Sequence, residues 1–481
     1  MDRANGADIP EPPALNLELH QNHYLPSGDG PVLAHAALTL RAHGLGALPC
    51  RTPAAVVIVI DCSGSMYPKK ITAARQAAAA AIGALHDGTR FALIQGTHEA
   101  EVVHPHDGRM AVAGPDARAE AARAAHRLVA AGGTVIGVWL ERARALLAAQ
   151  DSPIRHVLLL TDGQDEDWRP GGLEAVLAAC AGEFTCDVLG VGEGWAATEL
   201  RTIAARLHGV ADAVEDVTEL AEEFRTAMAT AMDKVLADVR IRVALRVGSE
   251  LRSFTQLFPV ERDLTAEGTQ ISERVWEFPT GAWGDDDREY QLSVTAVPDG
   301  DPKGEDLQLA VVSVTVDGPC ADRVALCGPV PLLAHWTADR ALSTRVDPRL
   351  DHYGKHAELG RAVSAGCEAY ERGDRRAAEE EWARALRLAR ELGDTKTRRR
   401  LGRLVTEDEG APRIREDLSA GDLNSAWVSV DQNPRWTEGR AGQEAGGSDK
   451  KCPGCGWTCP ASATHCTNCR RSFPDGSGTA G

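Results

Sequence analysis

The chain has 481 residues, too many for one hydrophobic core and enough for about three or four domains. Its formal charge of −18 leaves no excess of cations to displace counterions from phosphates, which argues against general nucleic-acid binding. No run is apolar enough to cross a bilayer: the Ala-rich stretch Ala73–Leu85 is interrupted by Arg75 and Gln76, and the opening MDRANGADIPEPPALNLEL lacks the basic start and apolar run of a cleaved signal. The expectation is therefore a cytoplasmic protein with no membrane partner.

Residues 15–43 read as two strands joined by a Pro-Ser-Gly-Asp-Gly turn, and two strands alone are marginal in water, so they need a sheet to join. From Val56 to about Leu236 strands and helices alternate, the signature of a parallel sheet covered on both faces. At its head stands VVIVIDCSGSM, Val56–Met66: a β-branched strand buried on both faces, then an oxygen-rich loop before a helix. Asp61, Ser63 and Ser65 alternate along that loop, so three oxygen-bearing side chains can turn towards one point. Hard cations, Mg²⁺ among them, take such oxygens. Hydroxyls with few direct carboxylates leave the ion under-neutralised, and it then seeks an acidic ligand from outside. The pattern continues through a helix at Lys69–Leu85, a strand at Phe91–Gln95, helices at Asp116–Ala130 and Val135–Ala149, and a strand at His156–Leu160 ending in Thr161-Asp162-Gly163. A helix at Leu173–Ala181, a strand at Cys186–Val191 and helices at Ala197–Leu207 and Val217–Leu236 complete it.

DCSGS, GGT at Gly132–Thr134 and TDG at Thr161–Gly163 together resemble the three loops of the metal-ion-dependent adhesion site of von Willebrand factor A (VWA) domains. The resemblance covers residues 51–236 and implies a doubly wound α/β sheet with a metal at the carboxyl ends of its central strands. It also implies roles: Ser63, Ser65 and Thr134 offer hydroxyls, and Asp61 and Asp162 complete the site directly or through water. Taken alone, DCSGS would be a Ser-rich turn capping a helix. After Asp162, the residues Asp165, Glu166 and Asp167 read as a solvated acidic turn, with a rim for a basic partner as the functional alternative. His98, His104 and His106 read as surface histidines.

From Asp238 the texture becomes strand alternation, at Val239–Val247, Ile271–Phe278, Arg288–Val297 and Leu307–Val316. One antiparallel β-sandwich of residues 14–45 and 237–317 is expected, with the VWA unit inserted, an arrangement similar to bacterial VWA proteins whose adhesion domain interrupts an all-β domain. A helical region at 350–406 carries one antiparallel pair of tetratricopeptide-like length, expected to pack on the sandwich, and TKTRRRLGR, Thr395–Arg403, reads as the solvated face of a third helix. Residues 407–450 read as mostly linker. Of twelve cysteines, five crowd between Cys452 and Cys469, and Cys452, Cys455, Cys466 and Cys469 form two Cys-x2-Cys pairs within 451–475. That spacing resembles a zinc ribbon holding Zn²⁺, with Cys459 and His465 as spare donors. The other seven cysteines read as small buried hydrophobes.

The multidomain chain so read is a non-enzymatic scaffold whose Mg²⁺, or another divalent cation, takes an Asp or Glu from a protein partner. Similar bacterial proteins suggest the alternative of an accessory subunit in an ATPase or tellurite-resistance-like stress complex, with ATPase, kinase or phosphatase partners. Nucleic-acid contact through the ribbon and a hydrolase built on Cys62 or Ser63 rank lower. A G-x-S-x-G elbow would need Gly at the position of Asp61, a Cys-x5-Arg loop would need Arg at the position of Pro68, and no phosphate loop of the G-x4-G-K-[ST] type is present.

Overall fold

The computed structural model describes residues 12–436, apart from 29, 168, 170, 215, 407–411 and 429, together with short strands at Lys450–Lys451 and Thr458–Cys459. The chain forms two units, Met1–Pro434 and Arg435–Gly481. The four cysteines expected to bind zinc lie outside the described residues.

In the first unit a sheet is built around Ala54–Asp61. Its strand order is Ala211–Val214, Thr185–Val191, Ile154–Thr161, Ala54–Asp61, Arg90–Gly96, Ala100–His104, parallel except for the last pairing. Alternation along the central strand sends its residues to two different cores. Val56, Ile58 and Ile60 pack with Ile71, Ala74 and Ala78 of helix Lys69–Ala84 and with Phe224 and Met228 of helix Leu220–Met232. Ala55, Val57 and Val59 pack with Trp139 and Leu140 of helix Ile136–Ala148 and with Leu200 of helix Ala197–Arg206. After Ala54–Asp61 the chain adds Arg90–Gly96 on one side and then crosses to add Ile154–Thr161 on the other. The central strand is thus a topological switch point, and the loops at its carboxyl end splay apart to leave a crevice.

Two further sheets, six strands each, share a second apolar core. One contains Ala14–Gln21 and Val32–His43, the latter paired along its length with Asp287–Ala296. The other contains Asp238–Leu245 and Asp306–Asp317. Phe254 of the first sheet stacks on Phe278 of the second at 4.2 Å between ring centroids. Strands from before and after the α/β unit therefore interleave in the same sheets. The all-β part runs past the expected limit at 317, because Leu332, Ala334 and Trp336 alternate inward along Val330–Thr337 and extend the second sheet.

The helices depart from expectation in their packing partner. Pro348–Glu371 and Arg375–Glu391 form the antiparallel pair, joined through Gly373 at φ 81° and capped by Asp374, whose carboxylate accepts from the Ala377 amide at 3.1 Å. Their apolar faces, with Leu359, Val363, Trp382 and Leu386, belong to the core of the α/β unit, on the side of Trp195 and Leu200. Against the all-β sheets, Arg349 donates to the Thr39 hydroxyl at 2.5 Å. The physical reason is a further helix that the linker reading missed: Ala420–Val428 buries Leu423, Ala426, Trp427 and Val428 and wedges between the helical pair and the sheet edge. Its Asn424 donates to the Trp195 carbonyl at 2.5 Å. The basic segment also differs, since Arg400 is 2% exposed and pairs with Asp212 at 2.8 Å. Cys50 and Cys320, read as small buried hydrophobes, form a disulfide with Cα atoms 6.2 Å apart. His104, read as a surface residue, is buried and stacks on Phe91 at 5.4 Å.

Candidate metal centre

Asp61 ends the central strand, and Asp162 follows directly on its neighbour, Ile154–Thr161. The register that pairs Ile60 with Leu160 places the two carboxylates side by side at the crevice. Both are fully buried. Asp61 is a bracket: one oxygen accepts from the Ser63 amide at 2.7 Å, the other from the Thr161 hydroxyl at 2.7 Å and the Asp162 amide at 3.3 Å. Its carboxyl is raised above the usual range, chiefly by burial and further by the charge of Asp162, and the hydrogen bonds from Ser63 and Thr161 offset only part of that rise.

With that bracket in place, the hydroxyls converge. Ser65 donates to Asp162 Oδ1 at 2.7 Å, Ser63 lies 3.4 Å from the same oxygen, and the two serine hydroxyls are 2.9 Å apart. Asp162 Oδ2 takes the Lys70 ammonium at 2.5 Å. The third loop is held against the first by the Gly64 amide, which donates to the Gly132 carbonyl at 2.9 Å. Thr134 is buried beside Gly163: a side chain on that glycine would begin 2.8 Å from the Thr134 hydroxyl. Ser63, Ser65, Asp61 and Asp162 are thus one hydrogen-bonded group, with Thr134 lining its Gly163 side. Among the described residues no cluster of three or more His, Cys, Asp or Glu side chains stands ready for a metal. A set dominated by hydroxyls would not form such a cluster.

The acidic turn after Asp162 is structural. Glu166 and Thr134 exchange contacts, the Glu166 amide donating to the Thr134 carbonyl at 2.8 Å and the Thr134 amide to the Glu166 carboxylate at 3.3 Å. Asp165 accepts from the Ile136 amide at 2.7 Å and so caps helix Ile136–Ala148 from a separate loop; burial raises its carboxyl. Asp167 is held low by its hydrogen bond to Arg169. Asp165 and Glu166 thus fix the Thr134 loop to the Asp162 loop. Cys62, the nucleophile of the hydrolase alternative, is wholly buried, and desolvation pushes its thiol far above the ordinary value.

Comparison with known proteins agrees with this fold. Residues 54–213 match the model of the von Willebrand factor type A domain. The solved von Willebrand factor type A protein from Catenulispora acidiphila is 34% identical, with a TM-score of 0.79 over 89% of this chain and 99% of that one. The chain belongs to the von Willebrand factor type A family. The ArnB paralog VWA2 from Sulfolobus acidocaldarius, 13% identical with a TM-score of 0.51 over 87% of this chain and 98% of that one, shares the fold. A curated relative, the uncharacterized protein sll0103 of Synechocystis, is 28% identical over 47% of this chain, which spans about half (53%) of that protein's length. Among the described residues no helix is long and apolar enough to cross a membrane.

Proposed function

We propose that this VWA protein is a non-enzymatic, intracellular scaffold that captures a protein partner through a divalent metal, Mg²⁺ being the expected ion. The observation that carries the reading is the convergence of the Ser63 and Ser65 hydroxyls on one oxygen of the buried Asp162 carboxylate. Ser63, Ser65 and Asp162, with Thr134 beside them, would hold the ion, and Asp61 would orient the serine loop and the Asp162 loop as it does here. The donor set fits a hard cation, because it is all oxygen, and its carboxylate already takes one cation, the Lys70 ammonium on Asp162 Oδ2. When bound, the ion supplies a Lewis-acidic position for an Asp or Glu carboxylate of the partner. Since the direct ligands carry little negative charge, metal and partner should strengthen each other's binding by the same factor.

In this reading the VWA unit is inserted in a β-sandwich, the helices form a further contact surface, and a zinc ribbon with Cys452, Cys455, Cys466 and Cys469 closes the chain. The runner-up is an accessory subunit of an ATPase or stress-response complex, for which the same metal face would be the docking site.

Affinity capture tests it. The intact protein should recover its partner in Mg²⁺, and recovery should fail with chelator and with Asp162→Ala or Ser63→Ala. Recovery at full strength in all three cases would hand the binding role to the helices or the ribbon.

A further inference from the structure

Lys70 does not belong, on general grounds, where it is found. It lies in the first turn of helix Lys69–Ala84, which carries no acidic residue to offset it, and a helix N-terminus repels cations. Its side chain is nonetheless directed into the site. The ammonium sits 2.5 Å from Oδ2 of Asp162, with 28% of the Lys70 side chain and none of the Asp162 side chain exposed. The stem is threaded past Gly192, at φ 80°, where a side chain would begin 2.8 Å from Lys70 Cε and 3.0 Å from Nζ. A buried carboxylate without a partner is costly, so some cation must answer Asp162 whenever no metal does.

We infer that Lys70 is the resident counter-cation of the adhesion site: it neutralises Asp162 in the metal-free protein and must leave that carboxylate before a divalent ion can take it. The inference rests on the metal reading above and adds to it the residue that sets the affinity threshold. Lysine and metal compete for one carboxylate, so their binding is antagonistic, and linkage requires that removing the ammonium strengthen the metal by the energy of the contact it gives up. The competition also confers selectivity. A monovalent cation gains nothing by exchanging with an ammonium of equal charge, whereas a divalent ion gains a second unit of charge against the same carboxylate. Metal loading then frees a lysine at the edge of the face that would receive an acidic partner, adding positive charge where a carboxylate approaches.

The test is calorimetric titration of Mn²⁺ into the full-length protein and into Lys70→Met and Lys70→Gln, with melting temperatures taken in metal-free buffer and in saturating Mn²⁺. Both variants should bind Mn²⁺ about tenfold more tightly at the site, within the range usual for coupled sites. Both should melt lower than the unaltered protein without metal and recover in Mn²⁺. Lys70→Gln keeps a hydrogen-bonding end without the charge, and so guards against a packing defect in Lys70→Met. Equal or weaker Mn²⁺ binding in both variants would overturn the competition while leaving the metal site standing. No Mn²⁺ binding in any of the three proteins, beyond what Asp162→Ala also shows, would overturn the metal reading itself.

Discussion

Asp61 and Asp162 are both buried carboxylates, but the structure gives them different work. Asp61 spends both oxygens on Ser63, Thr161 and Asp162, so it holds loops together, whereas Asp162 faces hydroxyls and an ammonium that can be exchanged. Asp162→Ala should therefore weaken divalent binding by more than about 100-fold, since altering merely supporting groups costs 10–100-fold, and titration calorimetry reads it directly. Asp61→Asn should also lower the melting temperature, because it replaces an acceptor that receives donors from two loops. Glycines beside the site are constrained by packing: a Cβ at Gly96 would lie 2.6 Å from the ring of Trp139, which is fully buried and donates to the Thr97 carbonyl at 2.6 Å. Gly96→Ala should cost about 1–3 kcal/mol by overpacking, read by denaturant unfolding; a neutral result would mean that Trp139 can move. The DCSGS, GGT and TDG motifs were legible in the sequence because each is a short run of fixed spacing. Lys70 and Glu166 were not, because their partners are 92 and 32 residues away and only the folded sheet brings them together.

Elements were legible where their own residue pattern decided them. The central strand is apolar on both sides and the hairpin helices repeat at helical spacing, so both could be read without knowing their neighbours. Helix Ala420–Val428 is short and set in polar sequence, and its four buried apolar residues make sense only against the edge of the α/β sheet. The packing of the helical region was misjudged for the same reason. At that edge Asp212 receives Arg400 at 2.8 Å and Lys396 at 2.7 Å. Burial alone would raise the Asp212 carboxyl, but the two cations outweigh it and leave the group below the usual carboxylate range. A carboxyl lowered in the folded state contributes stability that is fully present above its unfolded value, near 4, and is lost as pH falls through the folded value. Asp212→Asn should thus destabilise the docked helices at neutral pH by about 1–3 kcal/mol, because it removes the charge that Arg400 and Lys396 share. The difference from the unaltered protein should shrink as pH drops below about 4. Hydrogen exchange in Thr395–Leu404, compared at neutral and acid pH, checks both statements.

For the whole molecule, the consequence of interleaving is that distant segments depend on one another. Val32–His43 sits between Ala14–Gln21 and Asp287–Ala296, so deleting residues 1–45 removes a strand from the interior of its sheet and strips Leu15, Leu38 and Leu40 from the shared core. Protease protection of residues 237–337 should collapse, while the α/β sheet, whose strands all lie between 54 and 214, should retain more of its protection. Undiminished protection of the all-β part would contradict that dependence. Ending the chain after Ser448 should remove one zinc per molecule and leave the rest folded, as metal analysis and circular dichroism would report. The central claim is that Ser63, Ser65, Thr134, Asp61 and Asp162 form one divalent site. Calorimetric titration of Mg²⁺ into the full chain and into Asp162→Ala tests it most directly. One Mg²⁺ should bind per chain of the unaltered protein and none at that site in the variant; the same stoichiometry and affinity in both would rule out the proposed site.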